Sequence, residues 1–245
     1  MAAVTVHTPL PPEISLRHLE LAAAEFADVL AEGDLAARVP ACPEWTTTRL
    51  AHHLGSIHRW ARHAVAEGSP GPDEDETGPS DRSELVAWFS EGSAALTAAL
   101  RAAGPDAPCW TFGPKPRTAA FWFRRQAHET AMHTWDAKAS QGAAGELGAE
   151  LALDGIDEVA TMFLPRQLRL GRLPALPAAL AVEPDGAGRG WVLGEPGQEP
   201  AAALHGEAEA LLLLIWGRAT LDHPAISVEG DPDVAAAVLA APITP

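Results

Sequence analysis

Residues 46–66, TTTRLAHHLGSIHRWARHAVA, decide the fold. Leu50, His53, Leu54, Ile57 and Trp60 recur at three- and four-residue steps, so they share one stripe of an α-helix. Pro43 and the Thr cluster after Trp45 supply the start signal, and Gly68-Ser69-Pro70 supplies the stop. His53 lies within the apolar stripe, so this helix carries an imidazole towards the interior. There it is either a core histidine bonded to a neighbour or a ligand. His52 falls with Ser56, Arg59 and His63 on a polar face and is expected to be solvated. His58 is ambiguous.

Three further helices flank this one. Residues 14–35 place Leu16, Leu19, Ala23, Phe26 and Leu30 on one face. Residues 82–102 and 118–140 are also helical, and the stretches GSPGPDEDETGPSD and GPDAPCWTFGPKP read as solvated loops. Four helices of this length joined by loops predict a four-helix bundle over residues 1–145. After Gly145 the character changes. A short helix near 148–164 leads into a Pro-rich connector at 165–177. ALAVEP, RGWVL, PAAALHG and AISVEG then read as strands, with helices at 207–216 and 231–240. Residues 146–245 are therefore expected to form a small α+β domain, and the fold class is α+β.

Seventeen Lys and Arg stand against thirty-three Asp and Glu, a formal charge of −16. That sign disfavours nucleic acid and anionic membrane surfaces as partners. No apolar run is long enough to span a bilayer. The N-terminal residues lack the pattern of a secretory signal. Cys42 and Cys109 are the only cysteines, so the expectation is a reducing cytoplasm and no disulfide framework. Cys42 precedes Pro43 at the mouth of the second helix. It reads as a buried structural residue or as a thiol acidified by the helix N-terminus.

Six of the ten histidines fall within 52–63 and 128–133. In the fourth helix Glu129, His133 and Asp136 follow at steps of four and three, on one face. They are either an exposed ion pair with a trailing acid or part of a metal site. An imidazole and a carboxylate one turn apart can share an ion, and His53 would make a third ligand. Two His and one Glu with an open position is the catalytic zinc pattern. The same set suits other divalent first-row ions, Fe²⁺ included. Asp136 would then orient a ligand or bind substrate. No phosphate loop, nucleophile elbow or C-x-x-C is present.

VPACPEWTTTRLAHHLGSIHRWA and FWFRRQAHETAMHTWDA resemble the two N-terminal signatures of the mycothiol-dependent maleylpyruvate isomerase family, which are DinB-like metal-binding bundles. LHGEAEALLLLIWGRATLDHPAISVEGDPDV resembles the family's C-terminal, sterol-carrier-like α+β module. The resemblance implies a metal held by His53, Glu129 and His133, with Arg218 facing the active site from the C-terminal domain. It also implies mycothiol, the small thiol of actinobacteria, as cosubstrate. Glu44, where Gly is usual, and Thr134, where Arg is common, depart from the pattern without touching the ligands.

The implied activity is a metal- and mycothiol-dependent cis–trans isomerisation. The thiolate would add reversibly to a conjugated double bond, with Arg218 pairing a carboxylate or stabilising an enolate. Arg218 could equally cap the preceding helix. Two alternatives stay open. One is a mycothiol S-transferase acting on another small electrophile; the other is a non-catalytic metal-binding or interaction module.

Overall fold

Apolar residues at helical spacing build α1 (Pro12–Glu32), which buries Leu16, Leu19, Ala23, Phe26 and Leu30. The computed structural model describes residues 8–71, 76–173, 176–195 and 197–244. The contacts within the chain divide it into two units, Leu10–Leu147 and the residues from Gly148 onward.

The first unit holds four long helices. α2 (Thr47–Glu67) is capped by Thr46, whose Oγ1 accepts from the Arg49 N–H, and ends on Gly68 in the left-handed region. α3 (Arg82–Ala103) is capped by Asp81, which accepts from the N–H groups of Ser83 and Glu84. α4 (Ala120–Ser140) completes the set. α1 and α2 each pack against both α3 and α4, so the helices stand in the cyclic order α1-α3-α2-α4. Phe26, Leu30, Leu50, Leu54, Leu85 and Phe89 fill the centre, all fully buried.

Side-chain pairing gives the directions. Thr134 Oγ1 donates to the Ala22 carbonyl and Lys138 pairs with Glu25, so α1 and α4 run parallel. His58 meets Thr130 and Trp60 meets Trp122, so α2 and α4 run antiparallel. Close approach of α2 and α3 depends on two glycines. A Cβ at Gly55 would lie 2.1 Å from the Trp88 ring, and one at Gly92 would lie 2.4 Å from the Arg59 guanidinium. These pairs advance together along both helices, so α2 and α3 are parallel neighbours. Their connection must therefore return the length of α2. It does so on the α2 surface, with Gly71 beside His63 and Gly78 beside His52. The stretch read as a solvated loop is exposed at Gly68, Pro70, Thr77, Ser80 and Asp81 and half-buried at its other described residues; its acidic run 73–75 lies outside the described residues.

A ribbon of β1 (Arg38–Val39) and β2 (Cys42–Thr46) precedes α2. Strands of two and five residues are too short to show an alternating pattern, and the sequence reading passed over them.

In the second unit α5 (Ala149–Glu158) continues through a π-helical turn, Val159–Phe163, into α6 (Leu164–Arg169). The connector expected from Pro165 starts later for a physical reason. Pro165 falls in the first turn of α6, where its missing N–H removes no bond from the new helix. The sheet has the order β4-β3-β5-β6. β3 (Ala179–Pro184) and β5 (Pro200–Gly206) pair in parallel; β4 (Trp191–Leu193) and β6 (Ile226–Gly230) pair antiparallel at the edges. β3 is buried from Ala179 to Val182, as an inner strand should be. Trp191 Nε1 donates to Asp157 and ties β4 to α5. α7 (Ala208–Ile215) and α8 (Pro232–Leu239) complete the α+β unit. Among the described residues no helix is long and apolar enough to cross a membrane.

The Phe26 and Phe89 rings meet at 4.6 Å between centroids, both fully buried. Phe89→Ala is expected to destabilise the bundle by about 3–5 kcal/mol, read as a lower urea midpoint.

Candidate metal centre

α2 and α4 bring His53, Glu129 and His133 together. One ligand atom from each lies within 4.8 Å of the others, the single group of this kind among the described residues. His53 stands in the second turn of α2, and Glu129 and His133 stand one turn apart on α4. Glu129 Oε1 is 3.3 Å from His133 Nε2 and 3.6 Å from His53 Nε2. The two imidazoles meet edge to face at 5.2 Å.

The far nitrogens are also held. His133 Nδ1 lies 3.0 Å from Asp136 Oδ2, and His53 Nδ1 lies 2.9 Å from Glu76 Oε1. An ionised carboxylate only accepts, so each Nδ1 carries a proton, which leaves Nε2 as the atom that would bind an ion. Imidazoles oriented by carboxylates in this way are the usual support of metal-ligating histidines. Two nitrogens and one carboxylate oxygen, converging from two helices, fit a divalent first-row ion.

The charges are strongly coupled. Burial alone would raise the Glu129 pKa. The ion pair with Arg125, at 2.8 Å on Oε2, and hydrogen bonds from both histidines outweigh burial and hold it well below the usual carboxylate range. Burial would lower His133, but hydrogen bonds to Asp136 and Glu129 and their charges raise it to about 9. In the absence of an ion His133 is therefore doubly protonated near neutrality, and an ion taking Nε2 must displace that proton. Glu76 is lowered too, since His53 and Arg49 outweigh its partial burial.

The remaining sequence candidates fall as follows. Asp136 is wholly buried behind His133, which suits an orienting role rather than contact with substrate. His52 is not solvated as expected. It is partly buried, its Nε2 bonds the Pro79 carbonyl at 3.0 Å, and its ring meets Trp88 edge-on. The returning connection covers the face that helical spacing alone left open. Cys42 sits in β2, four residues ahead of the Thr46 cap, and is half-buried. Cys109 is buried, which raises its pKa. Arg218 belongs to the second unit, where its Nη1 donates to the Trp216 carbonyl at the end of α7. Sequence reasoning missed Glu76, one acid within an acidic loop and without periodicity to mark it. It also missed Arg125, although the four-residue step to Glu129 was there to be read.

Residues 16–138 match the Mycothiol maleylpyruvate isomerase N-terminal domain, and residues 150–237 match the MDMPI C-terminal domain. Among solved structures, that of the mycothiol-dependent maleylpyruvate isomerase is similar over 91% of this chain and 96% of its own, with a TM-score of 0.64 and 15% identity. A histidine-to-alanine mutant of that isomerase gives a TM-score of 0.63 at the same identity and coverage. At this identity the likeness speaks for the fold. No curated protein sequence matches.

Beside the cluster, His58 is wholly buried and bonds Thr130 Oγ1 at 2.9 Å. Burial drives its pKa from 6.5 down to about 3. Between those values the unfolded chain takes up a proton that the folded chain refuses, so stability falls as the pH drops. The urea midpoint is expected to fall from pH 7 to pH 4, and His58→Leu should make that fall shallower.

Proposed function

The chain belongs to the mycothiol maleylpyruvate isomerase family, and from that premise we propose that it is a metal- and mycothiol-dependent cis–trans isomerase of the maleylpyruvate type. The observation that carries this reading is the convergence of His53, Glu129 and His133 with both Nδ1 atoms held by carboxylates. These three residues would hold the ion, zinc being the first expectation. A divalent ion lowers the pKa of a thiol that it coordinates. Arg125 engages Glu129 Oε2 and leaves Oε1 to the cluster. Asp136 and Glu76 keep the imidazoles aimed.

In this reading the mycothiol thiolate forms a C–S bond at the conjugated cis double bond, and the electron pair moves onto the adjoining carbonyl as an enolate. Rotation about the former double bond, now single, follows. Return of the electron pair expels the thiolate and leaves the trans product. Arg218 would pair a substrate carboxylate or the enolate oxygen. Neither cysteine is needed as a nucleophile, and a reducing cytoplasm suits a free thiol cosubstrate. The domain assignment we adopt is 1–145 for the metal-binding bundle and 146–245 for the α+β domain.

The net charge of −16 supports a second reading. An acidic protein repels an anionic substrate, whereas a neutral electrophile is indifferent, and the same thiolate could alkylate on it as an S-transferase.

Two measurements test the proposal. Purified protein should contain divalent metal, and His53→Ala should fall below about a tenth of an equivalent; metal-free wild type would overturn the reading. Maleylpyruvate turnover should require mycothiol. Equal rates without the thiol would remove the mechanism, and thiol consumption with neutral electrophiles alone would favour the transferase. Arg218→Ala should slow turnover and leave metal content intact.

A further inference from the structure

The residues around His53 close a ring of contacts. Trp45 packs on the imidazole with centroids 4.9 Å apart. Glu76 Oε1 takes Nδ1 of the same imidazole. Arg49 grips Glu76 twice, with Nη2 on Oε2 and with Nη1 on the Glu76 backbone carbonyl at 3.1 Å. The Arg49 guanidinium also stands 5.1 Å from the Trp45 ring centroid. Trp45, Arg49 and His53 follow at four-residue steps, from the end of β2 into α2. One carboxylate can therefore reach both Arg49 and His53.

The two histidine arms differ in how their orienting acid is fixed. Asp136 is on α4 with His133 and is wholly buried, so the helix fixes it. Glu76 comes from the returning connection, and its side chain is 32% exposed. Water competes for such a carboxylate. The Arg49 pair is itself 40% exposed on the arginine side, and pairs of that kind stabilise a fold little. Its consequence is geometric: it holds the Glu76 backbone and carboxylate together where His53 needs an acceptor.

We propose that Glu76 and Arg49, with Trp45 as a wall, are positioning residues that fix the His53 imidazole for metal binding, Arg49 acting through Glu76. This rests on the metal-binding reading above.

The test uses the full chain, stripped of metal and titrated with Zn²⁺ against a chromophoric chelator. Glu76→Ala is expected to weaken Zn²⁺ binding about 10–100-fold, and Arg49→Ala to weaken it in the same direction by less. Glu76→Gln keeps an acceptor for Nδ1 and should recover part of the loss. The double variant should bind no more weakly than Glu76→Ala, because Arg49 acts through Glu76 and the Trp45 wall that it also touches stays in place in either variant. With Co²⁺ in place of Zn²⁺, the visible absorption band of Glu76→Ala should shift while all three ligands remain. Unchanged affinity in Glu76→Ala, or losses that multiply in the double variant, would overturn the proposal. Wild type that binds neither ion would overturn the metal-binding reading itself, and this proposal with it. The Arg49 and Glu76 side chains are 40% and 32% exposed, so the bundle core does not depend on them.

Discussion

A carboxylate held between helices and largely removed from water has to be compensated, and Glu129, 16% exposed, imposes that condition on this bundle. Desolvation pushes it towards the neutral acid. Arg125, whose side chain is 4% exposed, answers on one oxygen, and two imidazoles answer on the other. Each answering group needs support in turn. His133 leans on Asp136, and His53 leans on Glu76. The result is a chain of alternating carboxylates and imidazoles that crosses from α4 to α2, in which no member can be removed without leaving a neighbour without its partner. The ordinary apolar core of Phe26, Leu50, Leu54 and Phe89 packs alongside this chain.

The helix directions explain how Glu76 reaches the cluster. Antiparallel neighbours can be joined by a short turn, but α2 and α3 are parallel and their connection must travel back. Gly55 and Gly92 allow these helices close enough to leave the outer surface of α2 to the returning chain. The connection passes His63 and then His52 before α3 starts. A segment that must retrace α2 necessarily passes the turn that carries His53. The acid it delivers there completes a pair of oriented imidazoles that α2 and α4 could not provide alone.

The parts of this arrangement that repeat were legible in the sequence. Apolar stripes at three- and four-residue spacing marked α1 and α2, and the bounds of all four bundle helices were read to within a few residues, because burial of one face is what stabilises each helix. The same spacing selected His53 over His52 and set Glu129, His133 and Asp136 on one face. Long-range packing was not legible. Nothing local told that the 68–81 stretch would cover His52, or that Glu76 among its acidic neighbours would turn inward. Helical periodicity says which face is buried, not which neighbour buries it. The β1–β2 ribbon and the helix running past Pro165 escaped for a related reason. Both depend on local hydrogen bonding that overrides a weak pattern.

Net charge and local charge point in different directions at this site, and distance decides between them. At physiological ionic strength the Debye length is about 8 Å, so exposed acids far from the cluster are largely screened there. The shell in direct contact contains Arg49 and Arg125 against Glu76, Glu129 and Asp136. Without an ion, the proton held by His133 brings that shell to no excess charge. A divalent ion that displaces this proton leaves one excess positive charge. Anion attraction at this cluster therefore depends on the ion and not on the surrounding −16. The overall charge then governs how fast an anionic substrate arrives, while the shell governs whether it stays.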